Sequence, residues 1–203
     1  MDPTASTAAE WVRPIGDRTS EAIWPSERQY LSGASVEVLD VAEVNLADRR
    51  PNEIQPENWV IATPPRWHQL RRAKPADVRP HLHPGDELWV NQSSSSSGVN
   101  NRVLPEVAKT LGHSLALVEV NSLEYEVYTN PYNARRKLRA AFAWMGAEYV
   151  MDVTDPTLET AYLRRPDGTY PGPGAYLTLS LTSPYRGYCY KLVAAVIPKT
   201  GTS

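Results

Sequence analysis

The sequence predicts a mostly β protein with short helices, and three observations carry that expectation. The stretch Gly187-Tyr188-Cys189-Tyr190-Lys191-Leu192-Val193-Ala194-Ala195-Val196-Ile197 passes from polar and aromatic residues into an apolar run that Pro198 stops, and it follows a second such run over residues 176–181. A chain that ends this way is expected to hold its last strand at the centre of a sheet rather than at a fraying edge. Eighteen prolines, eleven tyrosines and six tryptophans accompany a single phenylalanine. Proline punctuates short elements and argues against long helices, while Tyr and Trp suit half-exposed surfaces as well as cores. Strand-like runs recur with proline and glycine between them, the spacing of a small barrel or sandwich.

The 203 residues fit one large or two small domains. Residues 1–10 are small and polar and are expected to form a disordered tail. Trp11-Val12-Arg13-Pro14-Ile15 reads as a short strand interrupted by its proline. Residues 36–46 make a longer β-run, residues 57–62 a third anchored by Trp59, and Pro64-Pro65 ends it. Trp67-His68-Gln69-Leu70-Arg71-Arg72 is read as one or two helical turns, and Leu88-Trp89-Val90 as a strand. Residues 91–101 contain five consecutive serines, a glycine and several asparagines. That composition buries too little apolar surface to order itself, so a linker or mobile loop is expected between halves at 11–90 and 102–198. Beyond it the pattern predicts a short helix over 102–111 and a hairpin of residues 114–120 and 123–128 joined at Asn121-Ser122. Strands over 135–144 and 149–154 follow, then a loop or short helix from Asp155-Pro156 to Tyr162. Asp167-Gly168 and Pro171-Gly172-Pro173-Gly174 are turn chemistry, and residues 199–203 are read as a tail.

Net charge is −2, so nucleic-acid binding would rest on local patches and not on the whole molecule. Cys189 is the single cysteine, which excludes an internal disulfide and fits a reducing cytosol. The first residues lack an apolar signal core, and no apolar run approaches the roughly 20 residues of a membrane helix. No Gly-rich phosphate loop, GxSxG or HExxH occurs, so a non-catalytic protein without cofactor or metal is expected. His81-x-His83 offers two ligands on one strand face, with Asp86 or His68 as the near candidates for a third, but no zinc-type spacing accompanies them. Cys189 and Lys191 would share a strand face, yet a lone cysteine among Tyr, Leu, Val and Ala is more often a small core residue than a nucleophile. Asp155 before Pro156 is better explained as a cap than as a metal or ribose contact.

The most suggestive constellation is Arg135-Arg136-Lys137-Leu138-Arg139-Ala140-Ala141-Phe142-Ala143-Trp144. On a strand, Leu138, Ala140, Phe142 and Trp144 take one face, and Arg135, Lys137 and Arg139 take the other. Three cations at alternate positions make a track for a phosphate backbone, and the same pattern equally describes an edge strand guarded by charge. Tyr128 and Tyr176 alternate away from their apolar neighbours, so both are expected outside the core as stacking platforms for bases. Tyr188 and Tyr190 share a face whose side the alternation leaves open. Arg71 and Arg72, in a basic stretch with Trp67 and His68, are a second candidate contact against the alternative of a solvated loop.

Several segments together resemble a prokaryotic dual OB-type domain family. They are Trp11 to Ile15, Leu39-Asp40-Val41-Ala42-Glu43-Val44, Gln55-Pro56-Glu57-Asn58-Trp59, Leu88-Trp89, Arg139 to Phe142, Tyr149 with Val153-Thr154-Asp155-Pro156, Ser180-Leu181, and Gly187 to Ala195, in order along nearly the whole chain. The resemblance implies two small OB-like β-barrels in tandem, a bacterial cytoplasmic setting, and a link to antiviral defence or mobile-element loci. It implies no activity and no catalytic residues. Family members begin with a further apolar strand, which Met1 to Glu10 does not supply, so an incomplete first barrel with an exposed edge is expected, open to a protein partner or to self-association. Binding of nucleic acid, DNA or RNA and preferably single-stranded, is the function the sequence favours, with a protein-interaction subunit as the alternative.

Overall fold

The computed structural model of the chain describes residues 11–131 and 133–199. The tail expected over 1–10, and all but Lys199 of the one expected over 199–203, lie outside the described residues. Two compact units emerge. One takes in Pro56–Arg72 and the described residues before Glu53, the other Glu53–Gln55 and the described residues after Arg72. The division therefore falls at Arg72, not in the serine-rich segment.

In the first unit, β1 (Arg13–Ile15) runs parallel to β4 (Asn58–Ile61), and β3 (Leu46–Arg49) pairs antiparallel with the other edge of β4. β2 (Asp40–Val44) pairs with β5 (Trp67–Arg72). Only Asn45 separates β2 from β3, so one bent strand serves both sheets. Residues 67–72 are thus a strand and not helical turns: the ladder to β2, from Val44 opposite Trp67 to Asp40 opposite Arg72, overrides their local preference. The apolar core is thin, with Ile15, Tyr30, Val60 and Ile61 buried. Asp40 compensates as a polar hub, its oxygens accepting from Tyr30 Oη (2.8 Å), Glu37 N (2.9 Å), Gln69 Nε2 (2.8 Å) and Arg72 (3.1 Å). Burial alone would push the Asp40 carboxyl up, but these donors outweigh it and hold it below the usual range.

The second unit holds β6 (Arg102–Val103), α1 (Pro105–Ala108), β7 (Leu115–Val120), β8 (Leu123–Thr129), β9 (Arg136–Trp144), β10 (Ala147–Val153), α2 (Pro156–Tyr162), β11 (Gly168–Gly172), β12 (Ala175–Leu181) and β13 (Cys189–Pro198). The strand order is β11-β8-β9-β10-β13-β12-β7, with β6 on β13. The last strand is central as expected, parallel to β10 and antiparallel to β12. β7 and β8 do not form the expected hairpin. Each pairs instead with a half of the β11–β12 strand, in one register that survives the gap: Leu115 opposite Ser180, Val120 opposite Ala175, Leu123 opposite Gly172, Val127 opposite Gly168. Asn121-Ser122 is therefore a bend in one long strand. Its second half pairs with β9 while its partner's second half pairs with β13, so the sheet curls back on itself around a single core. Gly174 sits at the bend because a Cβ there would lie 2.8 Å from the Asn121 carbonyl oxygen. The three sheets among the described residues do not merge into one barrel; the curling belongs to the second unit.

The core of this unit comes from alternate residues of every long strand, among them Val118, Tyr125, Leu138, Ala140, Tyr149, Met151, Leu177, Leu179 and Val193. Asp155 caps α2, accepting from the amides of Thr157 (2.9 Å) and Leu158 (3.2 Å), and its second oxygen takes the Val196 amide (3.2 Å).

The serine-rich segment is neither a linker nor loose. β10 meets β13 only at Asp152 and Val153, and residues 93–103 fill the remaining gap. Val99 bridges to Val150, exchanging both backbone hydrogen bonds (3.2 and 3.0 Å), and β6 pairs with Tyr190 and Cys189. Side chains replace the apolar anchors that composition lacks. Asn101 binds Ser95 through both of its polar atoms, and Asn100 reaches the Gln92 amide and the Glu148 carbonyl. Leu88-Trp89-Val90 is irregular rather than a strand, with Trp89 at φ +60°, and Arg102–Val103 is strand rather than helix.

Candidate nucleic-acid interface

β9 forms as the alternation predicts, with Leu138, Ala140, Phe142 and Trp144 buried. Its opposite face does not present an open cationic track. Arg139 is clamped by Glu126 of β8 through Nε and Nη2, both at 2.9 Å, donates to the Ser97 carbonyl, and lies 4.1 Å over the Tyr128 ring. Lys137 Nζ is 2.5 Å from Asp152 of β10. Arg136 binds Asp167 at 2.9 Å and the carbonyls of Leu163 and Arg165. The Glu126 hydrogen bond raises the Arg139 pKa; burial pulls Lys137 down, but Asp152 outweighs it and leaves that ammonium above its usual value. Such pairs are what cross-strand neighbours do in a sheet, since Glu126 and Asp152 both stand directly opposite Arg139. Arg135 precedes β9, exposed in the turn after β8.

The two expected platforms also differ from expectation. Tyr176 is buried, because β12 lies between β7 and β13 and is covered on both faces; in such a strand alternation does not report the outside. Tyr128 is half-buried beneath Arg139, and its hydroxyl donates to Asp152 at 3.3 Å. In the first unit, Arg72 is paired with Glu37 (2.9 Å) and Asp40 (3.1 Å), and Arg71 is exposed on β5. Cys189 is fully buried, and that burial pushes its thiol up rather than activating it. No group of three or more His, Cys, Asp and Glu side chains gathers at metal distance among the described residues.

A different aromatic and cationic cluster stands at the tip between β12 and β13. Tyr185 and Tyr188 form a bridge closed by hydrogen bonds of 2.8 and 3.1 Å, with Arg186 and Gly187 between them at φ +50° and +81°. Two positive φ values in a two-residue loop are the signature of the tight hairpin turn that matches strand twist. Tyr185 is 60% exposed, and Tyr188 and Tyr190 are half-buried, their rings 6.4 to 6.5 Å from one another along the Tyr185–Tyr190–Tyr188 series. The Arg102 guanidinium lies 3.9 Å over the Tyr188 ring and that of Arg186 5.3 Å from the Tyr185 ring. Neither arginine is ion-paired among the described residues, in contrast to those of β9. Gln55 steadies the base of the tip, donating to the Leu181 carbonyl at 2.9 Å and meeting Ser183 at 3.3 Å. The sequence signal for this tip was confined to Gly187, since Arg186 is not a residue that favours a positive φ.

The curled second unit, with its parallel β10–β13 contact and a helix between β10 and β11, defines a small β-barrel module. The chain matches the family model of the dual OB-containing domain over residues 4–196 and belongs to that family. No curated protein and no solved structure matches it. OB domains bind nucleic acids or proteins as a class, and no helix among the described residues is long and apolar enough to cross a membrane.

Proposed function

We propose that the protein is a non-catalytic binder of single-stranded nucleic acid, and that the tip of the second unit makes the contact. The observation that supports this reading is the cluster of Tyr185, Tyr188 and Tyr190 with Arg102 and Arg186, which joins one exposed and two half-buried rings to arginines that are not ion-paired among the described residues. Bases stack on such rings in any sequence, and the guanidinium groups meet the backbone. Arg186 sharpens the point. A non-glycine residue at positive φ is disfavoured by roughly 1 kcal/mol or more where Gly or Asn would be cheaper, and strain of that kind gathers at functional positions. Arg135 is a further contact candidate, while Lys137 and Arg139 serve the sheet. The defence or mobile-element setting follows from the family resemblance alone.

Fluorescence anisotropy with labelled single-stranded DNA and RNA, and with a duplex, at two salt concentrations tests the reading. Binding is expected to favour single strands and to weaken with salt. Tyr185→Ala is expected to lower affinity about tenfold or more, and Arg186→Asn to lower it while leaving the turn intact. Affinity that ignores salt, or that both variants retain, overturns the assignment. A second reading, a protein-interaction subunit, is favoured by β5: it pairs with β2, its Trp67 bridges Tyr30, and its residues after Trp67 are exposed, so a partner would reach this strand from solvent.

A further inference from the structure

Four rings stand in a row in the second unit. Trp89 lies 6.1 Å from His113 between ring centroids, His113 5.5 Å from His83, and His83 6.0 Å from Trp144 of β9. His83 and Trp89 belong to the irregular segment 82–91, His113 to the turn before β7. Hydrogen bonds fix both imidazoles. His113 Nδ1 is 2.9 Å from the Leu111 carbonyl, which can only accept, so that nitrogen donates and Nε2 remains a buried acceptor with no hydrogen-bond partner. His83 Nε2 donates in the same way to the Glu87 carbonyl at 3.2 Å.

Hydrogen bonds attach the segment beside the ring row. The His83 amide donates to the Leu117 carbonyl of β7 (2.7 Å), Trp89 Nε1 to the His113 carbonyl (3.1 Å), and Lys191 Nζ to the Val90 carbonyl (2.8 Å). Leu88 and Trp89 are buried at 0% and 6% exposure, with Trp89 in the left-handed region at φ +60°. Packing on the rings therefore holds a backbone that would otherwise relax.

We propose that the His83–His113 pair is a proton-operated latch, whose protonation frees residues 82–91 from the second unit and uncovers the apolar seats of Leu88 and Trp89. A proton on one imidazole places positive charge 5.5 Å from the other ring, with both imidazoles half-buried between two indoles. Around the pair, the elements supply the Glu87 and Leu111 carbonyls and the Trp89 and Trp144 rings. Glu119 of β7 is engaged by Lys199 (2.9 Å) and Arg79 (3.7 Å), and no carboxylate is ion-paired with either imidazole among the described residues. Burial first, and the neighbouring His113 with it, lower the His83 pKa from its ordinary 6.5, against the Glu87 hydrogen bond. A base with a lowered folded pKa is protonated more readily when released. The closed state is thus fully stable above about pH 6.5 and loses stability as pH falls through the folded value.

Hydrogen exchange of amides 82–91, corrected for intrinsic rates, tests this between about pH 8 and pH 5. The open population is expected to rise by up to about tenfold per pH unit below about 6.5 while β12 and β13 stay protected. His83→Gln and His113→Gln are each expected to remove most of that dependence. Constant protection down to about pH 5, an unchanged slope in both variants, or loss of β12 and β13 protection in step overturns the latch. In the wild-type protein, the ring-proton shifts of His83 are expected to share the amides' midpoint, and a separate midpoint overturns the latch without recourse to a variant.

Discussion

Lys191 lies in β13 at 1% exposure with no carboxylate ion-paired to it among the described residues. Its Nζ donates to the Val90 carbonyl and stands 5.5 Å from the Tyr149 ring centroid. Burial lowers the ammonium to about 8, with Glu87 opposing only in part. The unfolded chain, at the ordinary 10.5, holds the proton more tightly, so a penalty is fully present below pH 8 and fades as pH rises from 8 to 10.5. The gap corresponds to about 3 kcal/mol. Lys191→Met removes it at the loss of one hydrogen bond worth about 1 kcal/mol, so stability at neutral pH is expected to rise by about 1–2 kcal/mol. Urea titrations near neutral and at mildly alkaline pH check this, and the same alkaline gain in both proteins would refute it. Sequence showed this lysine two residues from Cys189 but not its burial, which depends on the Val90 carbonyl one hundred and one residues earlier. The cations of β9 teach the same lesson. No acid lies within residues 135–144, so the segment read as an open track, whereas its partners Glu126, Asp152 and Asp167 arrive from other elements.

At the scale of elements, the segment 93–103 is the clearest case of structure made by hydrogen bonds in place of apolar burial. Gly98 is its tightest point. A Cβ there would lie 2.2 Å from Asn101 Nδ2 and 2.5 Å from the Val150 carbonyl oxygen, and the latter is backbone that cannot yield cheaply. Gly98→Ala is therefore expected to cost about 1–3 kcal/mol and to raise exchange at the Val99 and Val150 amides. Unaltered stability in chemical denaturation would show that the segment does not close the gap. Composition pointed to a linker because serine and asparagine are poor at burial, and it is silent on whether a neighbouring strand offers them backbone partners. Strand positions were more legible. Residues 135–144, 149–154 and the last two runs became β9, β10, β12 and β13 with shifts of a residue or two at their ends. Periodicity reports local conformation, while pairing is a long-range property that left the bent β7–β8 strand looking like a hairpin.

For the whole molecule, the two units differ in how much they bury. The first has a handful of buried apolar residues around the Asp40 hub, and the second has the large cluster. Thermal unfolding is expected in two steps with the first unit leading. The chain provides its own reporters: Trp11, Trp24, Trp59 and Trp67 lie in the first unit and only Trp89 and Trp144 in the second. Tryptophan fluorescence should then change at a lower temperature than far-ultraviolet circular dichroism, and coincident curves would show one cooperative body. The family and its β class were readable from ordered short segments, but the division at Arg72 was not, because it follows pairings rather than composition.

The position of β13 has a consequence for biosynthesis. It joins β6, β10 and β12, yet it spans Cys189–Pro198 and leaves the ribosome after all of them. Until it emerges, the nascent chain carries two open β edges facing a missing neighbour, and a stall in translation during that interval leaves them available to chaperones or to one another.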